Sequence, residues 1–118
     1  MQAYGMLRLI LSRDFLSSPI FRNIFKRKKF VMGEEFLIIL PNATLESSKK
    51  RAEELRNGVK DLHINHEERD FRITISAGVA VLPKHGNSIS EVVRQSDRAL
   101  YQVKALGRDQ VVIAQHYA

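Results

Sequence analysis

The sequence predicts an α+β fold, in which two helices pack on one β-sheet in the order β-β-α-β-α-β. Segments 36–40 and 71–77 are rich in β-branched and aromatic residues, as is typical of strands. Segments 44–62 and 88–106 combine helical spacing of apolar residues with capping residues. With 118 residues, the chain has the length of one small domain with a single core.

The first two strands are predicted to form a β-hairpin. Phe30-Val31 precedes a glycine-containing turn at residues 32–34, and Phe36-Leu37-Ile38-Ile39-Leu40 follows that turn. Because the second run is apolar without alternation, we expect this strand to be buried on both faces. Pro41-Asn42 ends the strand.

The first helix is predicted to begin after Thr44, whose hydroxyl can cap it, and to end near Leu62. Its apolar stripe contains Ala52, Leu55 and Val59. A polar connection follows at residues 63–70.

The next strand alternates at period two over residues 71–77, which predicts one face turned to the core, and it extends to Pro83. Ser88 and Glu91 then have the spacing of a capping box, so a second helix is expected from there to about Leu106. Gly107 supplies a left-handed stop, and residues 111–113 are predicted to form a short closing strand.

Residues 1–29 are interpreted as an irregular basic segment, distinct from a domain at residues 30–118. Residues 6–11 are apolar and could begin a short buried helix. Residues 1–31 carry seven basic and one acidic residue, which accounts for the whole net charge of +6. The run Lys26-Arg27-Lys28-Lys29 is best explained as a solvated tail, with a nucleic acid or an anionic membrane as the alternative partner. We therefore do not expect nucleic-acid binding.

Composition narrows the class of protein. The chain has no cysteine, which fits a reducing compartment and excludes disulfides and thiolate metal sites. No apolar run approaches the roughly 20 residues of a membrane-spanning helix. We expect a cytoplasmic protein.

The first candidate site is Gly33-Glu34-Glu35-Phe36, which places two adjacent carboxylates at the predicted hairpin turn. Neighbouring like charges repel each other unless solvent or a cation stabilises them. Mg²⁺ binds such carboxylates together with substrate phosphate oxygens. The alternative is two solvated acids on a loop.

The second candidate site is formed by Lys104 and Arg108, on either side of the glycine that ends the second helix. Both cations could converge on one anion, and arginine can bind phosphate with two parallel hydrogen bonds. The alternative is that they only complement the negative end of the helix dipole.

Three segments, taken in order, resemble the GGDEF domain of the diguanylate cyclase family. Residues 33–41 resemble the GGDEF loop, in its GGEEF form, and the strand after it. ITISAGVA at residues 73–80 is similar to the next strand of the family, T-I-S-x-G-V-A. DRALYQVKALGRD at residues 97–109 is similar to D-x-A-L-Y-x-A-K-x-x-G-R-N. The resemblance implies the C-terminal part of a ferredoxin-like, palm-type domain.

The resemblance also implies an activity, the condensation of two GTP molecules into cyclic di-GMP with release of pyrophosphate, by a homodimer that uses Mg²⁺. It implies that Glu34 is a metal ligand and that Glu35 assists at the metal or in deprotonating the attacking hydroxyl. Gly33 would let the backbone approach the nucleotide. Lys104 and Arg108 would hold the β- and γ-phosphates.

Three departures from the family pattern count against activity. Residues 1–31 contain no D-x-D-x-F-K strand, which would supply a second metal carboxylate, so a central strand of the sheet is expected to be missing. Met32 stands at the first glycine of the motif, and no Arg-x-x-Asp inhibitory site precedes it. We therefore predict a truncated domain that is weak or inactive in catalysis. The alternative is a non-catalytic remnant that binds nucleotide or docks a partner.

Overall fold

The computed structural model describes residues 3–13, 35–62, 64–66, 69–71 and 73–115. The elements are β1 (Tyr4–Arg13), β2 (Glu35–Pro41), α1 (Leu45–Lys60), β3 (Ile64–His66), β4 (Arg69–Phe71), β5 (Ile73–Leu82), α2 (Ile89–Ala105) and β6 (Val111–Ile113). The main sheet has the strand order β2-β1-β5-β6, and β3 pairs with β4 in a separate small hairpin. The predicted fold class, an α+β sheet with two packed helices, is confirmed.

The strand β1 corrects the interpretation of the N-terminal segment. It pairs antiparallel with β2 on one side and with β5 on the other, so the sheet has the central strand that was expected to be missing. Met6 and Leu7 are both fully buried although they point to opposite faces. A strand buried on both faces has no polar alternation, and a short apolar run of this kind cannot be told from a buried helix by periodicity. The predicted strand Phe30-Val31 lies outside the described residues.

The two helices cover opposite faces of the sheet, which makes three layers. On one face, Val92 and Ala99 of α2 pack over Met6, Ala80, Leu82 and Ala114. On the other face, Ala52 of α1 packs over Leu7, Leu9, Ile75, Ala77 and Val79. The prediction that β5 buries only one face is therefore wrong, and its polar residues Thr74 and Ser76 are buried as well.

The edge strand β2 is more exposed than predicted. Phe36, Leu37 and Ile39 are each 36–47 % exposed, so this strand is not buried on both faces. Within the part of the chain that the structure describes, β2 pairs only with β1.

The helix ends confirm most of the capping predictions. Thr44 Oγ1 accepts a hydrogen bond from the Ser47 amide at 3.1 Å, and Ser47 Oγ accepts one from the Thr44 amide at 2.9 Å. Ser88 Oγ likewise accepts from the Glu91 amide at 3.2 Å. The Glu91 carboxylate, however, accepts from Asn87 N–H at 2.7 Å, so the reciprocal bond of the predicted capping box is shifted by one residue.

The end of α2 also follows the prediction. Gly107 has a φ of +103°, in the left-handed region that favours glycine. The Arg108 amide donates to the Val103 carbonyl at 3.0 Å, which is the long-range bond of a Schellman motif. In the described residues, no helix is long and apolar enough to cross a membrane.

A glycine on β5 sets how closely α2 approaches the sheet. A Cβ atom on Gly78 would overlap the Ser96 carbonyl oxygen and the Leu100 amide nitrogen, both on the backbone of α2. Gly78 is the cross-strand partner of Arg8 on β1. The absence of a side chain at Gly78 therefore brings α2 close to Arg8.

Candidate functional site

The predicted site residues Glu35 and Lys104 meet where β2 begins and α2 makes its last turn. Lys104 Nζ lies 3.0 Å from Glu35 Oε1, although the two residues are 69 positions apart in the chain. Both side chains are about one-third exposed, at 33 % and 36 %. The glutamate of the first motif and the lysine of the second thus belong to one site.

Arg8 on β1 supplies a second cation to this site. Its Nη2 atom donates to Glu35 Oε2 at 3.3 Å. Its Nε atom lies 2.9 Å from Asp97 Oδ1 on α2, an ion pair that lacks hydrogen-bond geometry. Neither Arg8 nor Asp97 was predicted as a site residue. The feature of the sequence that could have indicated Arg8 is its position inside an apolar segment, where it is the one charged residue among residues 3–11.

The strand register explains why these side chains converge. Along β1, residues 6, 8 and 10 point to the face that α2 covers, since successive side chains alternate between faces. Ile10 is the direct cross-strand partner of Glu35, and Arg8 is the partner of Leu37. From there the long Arg8 side chain reaches diagonally to Glu35 and across to α2.

The two cations hold Glu35 in its charged form. The hydrogen bond from Lys104 lowers the pKa of the Glu35 carboxyl; partial burial opposes this effect, and Arg8 adds to the lowering. Glu35 is therefore ionised at neutral pH, and both of its oxygens are paired.

The described residues do not fit a magnesium site. No group of three His, Cys, Asp or Glu side chains suited to a metal is found among them. The strand β1 (Tyr4–Arg13) brings Arg8 to Glu35 and contains no acid. Mg²⁺ prefers carboxylate oxygens in octahedral geometry, whereas both carboxylates here already contact a guanidinium. Gly33 and Glu34 lie outside the described residues, so their roles remain predictions.

The structure places the fifth predicted residue, Arg108, just past the end of α2. Arg108 is exposed and has a φ of +66°. Its predicted convergence with Lys104 on one anion remains a prediction.

The residue after it, Asp109, anchors the segment that carries Arg108. Its carboxylate accepts hydrogen bonds from Lys60 Nζ at 2.7 Å and from Arg56 Nη1 at 3.1 Å, both on α1. Its amide donates to Ser76 Oγ on β5 at 2.8 Å. Burial acts to raise the pKa of Asp109, but the bonds from Lys60 and Arg56 outweigh that effect and lower it. The segment is thus tied to both α1 and the sheet.

Comparison with known proteins identifies the family. Residues 27–110 match the family model described as "Diguanylate cyclase, GGDEF domain". The chain is 31 % identical to diguanylate cyclase A of Treponema denticola over 84 residues, which are 71 % of this chain and 23 % of that protein. It is 35 % identical to diguanylate cyclase DgcP of Pseudomonas aeruginosa over 83 residues, 70 % of this chain and 12 % of that protein. It therefore spans less than a quarter of the length of either relative.

Solved structures share the fold over nearly the whole chain. The active GGEEF domain of a diguanylate cyclase from Vibrio cholerae has a TM-score of 0.67 at 22 % identity, covering 96 % of this chain and 85 % of that one. The GGDEF domain of DgcB from Caulobacter crescentus, solved with c-di-GMP, has a TM-score of 0.70 at 23 % identity, covering 94 % and 76 %. These matches extend N-terminal to residue 27, where the family model begins. The chain belongs to the GGDEF domain family of diguanylate cyclases.

Proposed function

We propose that this chain is a diguanylate cyclase-type GGDEF domain that forms little or no cyclic di-GMP on its own. The observation that carries the proposal is the contact between Arg8 and Glu35. The strand next to the motif glutamate brings a guanidinium to it, and the family resemblance calls for a carboxylate on that strand.

The charge balance of the site supports this proposal. Arg8 and Lys104 carry two positive charges, and Glu35 and Asp97 carry two negative charges, so the contact network is neutral. A divalent cation binds where carboxylates outnumber nearby cations, because it must recover the energy lost on dehydration. In the family, Mg²⁺ neutralises charge that develops at the α-phosphate. The described residues of this chain offer no comparable position for it.

The other family properties belong to the same proposal. The family reaction takes GTP as substrate, and a homodimer would bring two half-sites together around the two nucleotides. Lys104 and Arg108 would contact the β- and γ-phosphates, and Glu35 would hold the Lys104 ammonium in place. Glu34 would be the remaining metal ligand, and a cytoplasmic location is expected.

An assay of GTP turnover tests the proposal. The purified chain is incubated with GTP and Mg²⁺, and cyclic di-GMP is measured by chromatography, with the GGEEF domain of the Vibrio cholerae diguanylate cyclase as a positive control. We expect no product above the background without protein. Clear product formation by the wild-type chain would overturn the proposal, and its loss in Glu35→Gln would show a working site at Glu35.

A second candidate function is binding of nucleotide, or docking of a partner, without catalysis. It is favoured by Lys104, which the structure keeps at Glu35 although the site lacks a metal cluster among the described residues. Calorimetry with GTP should show binding to wild type that weakens at least about tenfold in Lys104→Ala. Lys49→Ala, which removes an exposed lysine from α1, is the matched control. Absence of GTP binding to wild type would leave partner docking as the candidate.

A further inference from the structure

A cavity of about 590 Å³ lies at the opposite end of α2 from Lys104, between the first turns of that helix and the loop after β5. Its polar lining consists chiefly of Lys84, Asn87, Glu91, Arg94, Gln95 and Arg98. We propose that this cavity binds a small phosphate-bearing anion, at a site separate from Glu35 and Lys104.

The charge of the lining favours an anion. Three cations, Lys84, Arg94 and Arg98, face one carboxylate, Glu91. An oxygen of that carboxylate already accepts the Asn87 N–H at 2.7 Å. Among the described residues, none of the three cations forms an ion pair, whereas Arg8, Arg51, Arg56, Lys60 and Lys104 all do. The lining therefore has unneutralised positive charge.

The spacing of the arginines suits phosphate in particular. Arg94 and Arg98 are four residues apart on α2, so their side chains lie one turn apart on the same side of the helix. Each guanidinium offers a planar fork of donors that matches the oxygens of a phosphate group. The side-chain amides of Asn87 and Gln95 add neutral donors at the rim.

The wall of the cavity is held in place before any ligand arrives. His85 is only 1 % exposed, and its Nδ1 atom accepts the Val81 N–H at 2.9 Å. Its own amide donates to the Val81 carbonyl at 2.8 Å. At Gly86 the loop lies so near α2 that a Cβ would be 2.8 Å from Glu91 Cβ. A loop fixed in this way loses little conformational entropy when an anion binds.

The cavity is distinct from the GGDEF site. Along α2, Arg94 and Arg98 precede Lys104 by ten and six residues, which corresponds to about 15 Å and about 9 Å at 1.5 Å per residue. The cavity lining includes neither Glu35 nor Lys104. Binding at one site can therefore be separated from binding at the other by substitution.

Binding is measured by calorimetry with pyrophosphate, GMP and cyclic di-GMP as separate probes, in EDTA and at constant ionic strength. We expect at least one probe to bind saturably to the wild-type chain with a dissociation constant below about 1 mM. The relative affinities separate a bare phosphate from a nucleotide as the preferred ligand. Acetate at the same concentration should not bind, because it lacks the oxygens for two guanidinium forks.

Two double variants locate the site. Arg94→Gln with Arg98→Gln should weaken binding at least about tenfold. Lys49→Gln with Lys50→Gln removes the same charge from exposed residues of α1 and should change affinity less than about twofold. Absence of saturable binding by all three probes would overturn the proposal. Equal loss in both variants, or loss in Lys104→Ala instead, would also overturn it. Circular dichroism of each variant checks that it is folded.

Discussion

Gly78 lies where the backbone of α2 comes closest to the sheet, and replacing it with alanine tests whether this close packing supports the fold. The added methyl group would overlap the Ser96 carbonyl oxygen and the Leu100 amide nitrogen and would lie 3.0 Å from the Ala99 carbonyl carbon. These are backbone atoms of a helix, so they cannot rotate away as a flexible side chain could. The whole of α2 would have to move away from β5.

The loss of stability depends on the contacts that this movement of α2 would break. Overpacking a well-filled core by a methyl group typically costs about 1–3 kcal/mol. Val92, Leu100 and Val103 of α2 are all at most 2 % exposed, so a shift of the helix loosens contacts along its whole buried face. We therefore expect Gly78→Ala to lower the free energy of unfolding by about 3 kcal/mol, at the upper end of that range.

Urea denaturation measures this change. With a slope of about 1.5 kcal/mol per molar urea, the midpoint should fall by about 2 M. Gly58→Ala is the matched control, because Gly58 lies inside α1 and its added Cβ would meet no atom within 4 Å apart from its chain neighbours and the nearby helix backbone. That variant should instead gain about 0.5–1 kcal/mol, since alanine favours the helix over glycine.

Alanine at position 78 should therefore lower the free energy of unfolding, whereas alanine at position 58 should raise it. If Gly78→Ala unfolded at the wild-type urea concentration while Gly58→Ala was stabilised, α2 would not pack against Gly78 as described. If both variants were stabilised, helix or strand propensity would outweigh packing at both positions, and the explanation of Gly78 would be wrong.

Two further predictions concern charge. In Lys104→Ala the pKa of Glu35 should rise towards its ordinary value, because the hydrogen bond from Lys104 is the largest cause of its lowering. NMR titration of the Glu35 carboxyl carbon measures this pKa. An unchanged pKa would contradict the contact between Lys104 and Glu35. Asp109 has a lowered pKa in the folded chain, so its stabilisation is present above the ordinary aspartate value of about 4 and is lost as the pH falls through the lowered value. Between pH 7 and pH 3 the free energy of unfolding, measured by urea denaturation, should therefore fall by about 1 kcal/mol more for wild type than for Asp109→Asn, and parallel pH profiles would contradict this.

Features that depend on neighbours in sequence were predictable. Thr44 and Ser88 cap their helices because a hydroxyl bonds to an amide three residues ahead, and that geometry is local. Gly107 ends α2 for an equally local reason, its positive φ. The contact between Glu35 and Lys104 could also be anticipated, but only through the family resemblance. Nothing in the local sequence connects two residues that are 69 positions apart.

Features that depend on tertiary contacts were not predictable in the same way. The apolar run in β1 did not reveal whether it forms a strand or a helix, because burial on both faces removes the alternation that marks a strand. The sequence around Arg8 did not indicate its partners, since Glu35 and Asp97 belong to two other elements of the fold. Asp109 was part of a recognised motif, yet its bonds to Lys60 and Arg56 depend on how α1 packs on the sheet.

The strand β1 separates what the fold requires from what the family reaction requires. The fold needs apolar side chains on both faces of a central strand, and Met6, Leu7 and Leu9 meet that need. The family resemblance calls for a carboxylate on this strand, but two acids side by side repel each other unless a cation joins them. Arg8 avoids this repulsion, because a guanidinium beside the Glu35 carboxylate is favourable without any metal. A sequence with all three GGDEF-like segments can therefore keep the fold with a cation on β1, and we propose that the charge on this strand decides whether a metal site forms.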